Sequence, residues 1–434
     1  MQRAKIYPGK PSGSVKIPAS KSMAHRAVIC ATLAEGMSKL TNLTLSNDIR
    51  ATLEGMCCLG AKTEFINEKD DKNGDTLLLT GSGAPHAADA LTVDCGESGS
   101  TLRFFIPIFS LTGKPVRFIG HGRLPERPQT VYQEIFAAQG LRFDKIEGGW
   151  EIEGALTPGD YRIRGDISSQ FISGLLFALP LLTGDSTLHI TPPFESRSYV
   201  ELTLAMQQKF GVNARWLDEY TLFLPGNQHY TPCDTAIEGD FSQLAFFAVL
   251  GAINSEITLQ GVDTNSAQGD RKIIEFIRHT GGKISETPAK DGYVVSPAKL
   301  AAIEADLADC PDLGPILTVL AACADGETRL YNAGRLRIKE SDRIADVEEE
   351  LRRCGVKIHS TETEMFIMGG GEYAADSACD SHNDHRIVMA LAILATVCQK
   401  PLTILGAEAI NKSYPNFFLD LQNLGIKVEI SNVE

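Results

Sequence analysis

Residues 168–191 read SSQFISGLLFALPLLTGDSTLHIT. Two serines able to cap a helix precede an apolar run that ends at Gly184, a residue suited to closing one, so the stretch predicts a buried helix. STLHIT then reads as a strand, Tyr199–Phe210 as a second, more amphipathic helix, and a pair of short β runs follows. The unit is therefore β-α-β-α-β-β. The same pattern starts at Ser20, Ser98, Phe241, Asp312 and Asp384, and the six starts lie 78, 70, 73, 71 and 72 residues apart. KLTNLTL, PVRFIG, EITLQG, TRLYNAGRLRI and PLTILG take the place of STLHIT, and Asp270–Thr280 and Ser341–Cys354 that of the second helix. Regular spacing, not identity between units, carries the inference of a repeat.

Six units form either a solenoid or two groups of three. The chain ends do not resemble the polar caps a solenoid requires. The last unit also stops at IKVEISNVE, one strand short, and the opening AKIYP is available to supply it. The expected architecture is α/β, with two similar domains of three repeats each. One spans 20–238; the other is discontinuous, 1–19 plus 239–434, with short hinges at the crossings.

Composition narrows the function. The chain has 434 residues, 43% hydrophobic and 22% charged, with a net charge of −14. That sign argues against a generic nucleic-acid or membrane-surface binder. It leaves room for a small anion held by a local cation cluster, since screening confines charge effects to about 8 Å. The apolar runs are too short to cross a bilayer and the N-terminus has no signal-peptide core, so a cytoplasmic protein is expected. The 10 cysteines form no CxxC pair and read as reduced thiols. Cys379, His382, Asp384 and His385 have no established zinc spacing, and neither GxxxxGK[ST] nor a strand-to-helix GxGxxG is present.

Cations instead recur at corresponding places in the repeats, at the first turn of a buried helix or the loop before the second: Lys21, Arg26, Arg103, Arg127, Lys339, Arg343, Arg386 and Lys412. Helix N-termini favour anions, and charge-assisted bonds from Arg or Lys contribute more than the dipole. Ser168, Ser169 and Asp312 are also good N-caps.

PASKSMAHRA (18–27), DCGESGSTLRF (94–104), LPERP (124–128), GDISSQF (165–171), RLRIKESDR (335–343), NDHR (383–386) and INKSYP (410–415), in this order, resemble the enolpyruvyl transferases over nearly the whole chain. The resemblance implies an inside-out α/β barrel in each of two domains joined by a double hinge. It also implies transfer of the enolpyruvyl group of phosphoenolpyruvate to the 5-hydroxyl of shikimate 3-phosphate with release of phosphate, by a monomer without metal or organic cofactor. By motif, Lys21, Ser22, Arg26, Ser168, Ser169, Gln170, Ser196, Tyr199, Asp312 and Lys339 would hold shikimate 3-phosphate. Lys21, Gly99, Arg127, Gln170, Arg343, Arg386 and Lys412 would hold phosphoenolpyruvate, and Asp312, Glu340 and Lys21 would move protons. Glu97, His25 and Arg335 stand where other members often have Asn. The sister branch acting on UDP-N-acetylglucosamine has Lys-Asn in the first block and a loop Cys before Arg-Pro, whereas this chain has Lys21-Ser22 and Glu126. A non-catalytic phosphate-binding module would lack Asp312, Glu340 or Lys21, and all three are present.

Overall fold

A computed structural model describes residues 1–66 and 75–432. The chain divides into two compact units, Ala19–Ile237 and Met1–Pro18 with Glu238–Glu434. Each has its own apolar core. No helix among the described residues is long and apolar enough to cross a membrane.

Every repeat becomes one four-stranded sheet, and all six sheets share an order. In the repeat whose buried helix is capped by Ser168, Asp160–Arg164 lies parallel to Ser186–Thr191, which pairs antiparallel with Thr221–Leu224, itself flanked by Arg215–Trp216. A parallel pair needs a crossover, and helix Ser169–Ala178 provides it. The equivalent helices are Lys21–Leu33, Gly99–Ser110, Phe241–Ile253, Gly314–Ala322 and His385–Ala395. They are buried nearly all round, which explains why they are apolar on every face. Arg197–Lys209, Lys272–His279 and Arg343–Arg353 are the second helices, one or two residues from the expected bounds.

Three strands arrive from a distance in sequence. Gln2–Ile6 pairs antiparallel with both Leu402–Leu405 and Val428–Asn432, completing the last repeat. Ser14–Lys16 runs parallel to Ile257–Gln260 and opens the fourth repeat. Thr235–Ala236 returns to lie parallel to Glu35–Leu43, so the first repeat is closed by the end of its own unit.

Side chains of Ser20, Ser98, Ser168, Asp240 and Asp384 accept from first-turn N–H groups and cap their helices. Two expectations fail here. Asp312 is not a cap: Pro311–Leu313 forms a 3-10 turn, the helix starts at Gly314, and the carboxylate is drawn to cations instead. Glycine caps none of the four buried helices expected to end on it: Ala34, Leu111, Leu179 and Cys323 do, Gly184 and Gly326 lie several residues beyond, and Gly113, at φ 68°, lies in the turn after its helix.

Candidate active site

In the unit Met1–Pro18 with Glu238–Glu434, the fifth and sixth repeats build a buried charge cluster. Arg343, the first residue of its helix, is 1% exposed. Its guanidinium donates to Asp312 Oδ1 at 2.9 Å, Glu340 Oε2 at 2.7 Å, and both oxygens of Asp384 at 2.7 and 3.3 Å. Arg386 donates to Asp312 Oδ2 at 2.8 Å and to the Asp312 carbonyl at 3.2 Å, and Lys339 Nζ is 3.4 Å from Asp312 Oδ1. Lys412 Nζ donates to the Asn383 carbonyl at 2.5 Å. The planar fork of an arginine is what allows one side chain to serve three carboxylates.

These neighbours set the protonation states. Burial pushes the Asp312 carboxyl up, but Arg386, Lys339 and Arg343 together hold it well below the usual range. Burial pulls Lys339 down to about 8, against the attraction of Asp312. Asp270 accepts from the Ser242 hydroxyl and is pushed up to about 7 by burial and by the charge of Asp312, with Arg386 opposing.

In the unit Ala19–Ile237, Lys21, Ser22, Gly99, Ser169 and Gln170 occupy first turns of buried helices, Arg26 the second turn of the first, Arg127 the end of the 3-10 turn Leu124–Glu126, and Ser196 and Tyr199 the start of helix Arg197–Lys209. Lys21 Nζ pairs with Asp48 Oδ2 at 2.7 Å. Arg26 is turned to protein: it donates to Thr203 Oγ1 at 2.8 Å, the Ser22 carbonyl at 2.7 Å and the Tyr199 carbonyl at 2.8 Å, and its charge lies over the Phe104 ring. Ser168 accepts from the Gln170 N–H at 3.3 Å, and Ser169 opens the helix. Gln170 bridges Arg103 at 2.8 Å and Ser100 at 2.8 Å. Ser196, at φ 55°, precedes helix Arg197–Lys209 without capping it. Gly99 allows a close approach: a Cβ there would sit 2.6 Å from Arg127 Nη1.

The three departures acquire physical settings. Burial, with Lys21 and Arg26 nearby, holds His25 well below the ordinary histidine value. Its Nδ1 meets Thr52 Oγ1 at 2.7 Å, in a chain that continues through Thr101 to Ser98. Glu97 lies against Gly122, which has no side chain to obstruct it. Arg335 donates to the Ala308 carbonyl.

Sequence reading missed Asp48 and Asp270, because partners 27 and 28 residues away, Lys21 and Ser242, leave no local pattern. It named Arg103 without assigning it a ligand. The Cys379, His382, Asp384 and His385 group disperses: Cys379 meets Cys354, Asp384 binds Arg343, and His382 turns to Glu350. Among the described residues Glu349, Glu350 and His382 come within metal-ligand reach, but Glu350 is already engaged by Arg353, His382 and the Asp380 N–H.

Two α/β units of three repeats each, with Lys and Arg at helix starts and an aspartate held among three cations, define a class of protein that handles small anions. A family profile for EPSP synthase (3-phosphoshikimate 1-carboxyvinyltransferase) matches residues 7–421. The 3-phosphoshikimate 1-carboxyvinyltransferase of Clostridium kluyveri is 44% identical over 99% of both chains, and that of Clostridium beijerinckii 43% over 98% of both. Among solved structures, EPSP synthase from Acinetobacter baumannii superposes with a TM-score of 0.79 at 25% identity over 100% of both chains. An enolpyruvyl transferase from Streptomyces tendae, at 16% identity and TM-score 0.77 over 100% of this chain and 99% of its own, shares the fold. The chain belongs to the EPSP synthase family.

Proposed function

We propose that this chain transfers the enolpyruvyl group of phosphoenolpyruvate to the 5-hydroxyl of shikimate 3-phosphate, releasing inorganic phosphate, in the shikimate route to aromatic amino acids. The observation that carries the assignment within the family is Asp312 set among Arg343, Arg386 and Lys339. The reading has the protein act as a cytoplasmic monomer on two small molecules, with no metal or organic cofactor. Residues 20–238 supply most contacts to shikimate 3-phosphate: Lys21, Ser22, Arg26, the Ser168-Ser169 pair on its phosphate, Gln170, Ser196 and Tyr199. The other domain supplies Asp312 and Lys339 to that substrate, and Arg343, Arg386 and Lys412 to phosphoenolpyruvate. Lys21, Gly99, Arg127 and Gln170 complete the phosphoenolpyruvate set.

The chemistry is addition then elimination. Glu340 delivers a proton to C3 of phosphoenolpyruvate, Asp312 takes the proton of the attacking hydroxyl, and C2 becomes tetrahedral. Lys21 then assists departure of phosphate while Glu340 takes a proton back from C3, which restores the double bond; the hydroxyl proton left on Asp312 is the net proton that phosphate carries off. Proton transfer of this kind needs a base matched to its task. A carboxylate held far below its usual range is a poor base at rest. When anionic substrate draws on Arg343 and Arg386, their hold on Asp312 weakens and its basicity rises. Substrate thereby activates its own base.

Phosphate release should be seen with phosphoenolpyruvate plus shikimate 3-phosphate in the presence of a chelator, and not with UDP-N-acetylglucosamine as acceptor. The reverse acceptor preference would assign the sister activity.

Lys339 adds a pH expectation. With its folded value near 8, kcat/KM should fall above about pH 8 as the ammonium beside Asp312 is lost. Lys339→Arg, whose guanidinium does not titrate there, should remove that limb while keeping measurable turnover. For stability the sign is opposite. The unfolded chain binds the extra proton between about 8 and its ordinary 10.5. Over that window this residue therefore makes stability rise with pH. An alkaline limb unchanged in the arginine variant would show that another group governs it.

A further inference from the structure

We propose that Glu350 and His382 are positioning residues that hold the 380–386 loop in the form the phosphoenolpyruvate cations require. The proposal rests on the assignment of Arg343, Arg386 and Lys412 to that substrate. The loop leaves the short strand Cys379–Asp380, turns through His382 at φ 49° and Asn383 at φ 54°, and enters the last buried helix at its cap, Asp384. Two successive left-handed residues without a glycine are disfavoured and persist only where the surroundings hold them.

Helix Arg343–Arg353 provides that hold. Arg343, Asp346, Glu350 and Arg353 recur at helical spacing along one face. Arg343 takes Asp384, at the far end of the loop. Two turns along, the buried carboxylate of Glu350 accepts from the Asp380 N–H at 3.1 Å and lies 3.2 Å from His382 Nε2. Arg353 donates to the same carboxylate at 3.1 Å, and His382 Nδ1 is 3.5 Å from Asp346 Oδ1. The helix therefore grips both ends of the strained turn.

What the turn delivers is the donor site. The Asn383 carbonyl receives Lys412 Nζ, Asp384 receives Arg343, and the N–H of Arg386 donates to Asp384 at 2.8 Å. All three cations take their positions from these few residues. A carboxylate with no substrate to touch is buried here because it fixes the backbone that fixes the cations.

His382 is only half-buried, so it can be changed with less danger to folding than Glu350. His382→Gly removes the imidazole and suits the positive φ. We expect it to raise the KM for phosphoenolpyruvate by about 10-fold, as a small misplacement of binding groups does, while kcat and the KM for shikimate 3-phosphate change less than about twofold. His382→Gln, which restores an N–H donor toward Glu350, should recover most of the loss. Glu350→Gln should shift the same constant in the same direction. An unchanged phosphoenolpyruvate KM in His382→Gly overturns the proposal, whether or not apparent kcat falls with the amount of folded protein by circular dichroism, as does a rise in the KM for shikimate 3-phosphate as large as that for phosphoenolpyruvate. Arg386→Lys separates the two levels of the argument. If it raises that KM and His382→Gly does not, the positioning role fails alone. If Arg386→Lys leaves it unchanged, the donor-site assignment fails and the positioning role with it.

Discussion

Asp312→Asn is expected to bind shikimate 3-phosphate about as well as the unaltered protein while turnover falls by roughly 10²-fold or more, the usual scale for a general base. The substitution keeps the shape and an oxygen that can face Arg343 and Lys339, but it sets an amide NH2 against Arg386 and removes the charge that accepts a proton. It also takes away the attraction that holds up the Lys339 ammonium, so the alkaline fall in activity should begin at lower pH. Calorimetry with shikimate 3-phosphate and a phosphate-release assay check the two halves separately. Unchanged turnover would remove Asp312 from the mechanism.

Arg343→Gln should be the least tolerated single change in the cluster. Its guanidinium faces Asp312, Glu340 and Asp384 from a fully buried position, and Asp384 is itself 0% exposed. Removing one partner of a buried pair leaves the other charge without compensation, at a cost of about 3–5 kcal/mol. Chemical denaturation should show that loss, and activity should fall below that of Arg386→Lys. Arg343→Lys restores a charge but not the fork, so it should recover part of the stability and little activity. A denaturation midpoint unchanged in Arg343→Gln would mean that the carboxylates are not under the strain of mutual repulsion this geometry implies.

The fold was legible because each repeat carries a strong local signature, a capped apolar helix followed by a strand. SSQFISGLLFALPLLTG needs no partner to be read as a buried helix. The short strands Thr235–Ala236 and Ser14–Lys16 escaped, since two or three residues show no periodicity and their pairing lies far along the chain. At the candidate site, cations were visible because they recur with the repeat. The role of an acid was not. Asp312 has the sequence of an N-cap, and only Arg343, from the second helix of the same repeat, and Arg386, from the next repeat, turn its carboxylate away from the helix. Glu350 sits in a run of three glutamates that reads as a solvated face, yet burial against the 380–386 loop gives it a different task.

The strand Gln2–Ile6 has a consequence for synthesis on the ribosome. Its partners, Leu402–Leu405 and Val428–Asn432, follow it by about 400 residues. At about 5–20 residues per second, the strand waits roughly 20–80 s with its backbone unpaired while Ala19–Ile237, a continuous stretch, emerges complete. An unpaired strand is an invitation to mispair with a neighbouring nascent chain. This one exposes Arg3 and Lys5 in alternation with the buried Ala4 and Ile6. Their like charges repel a second copy of the same strand, so it carries its own protection until its partners arrive.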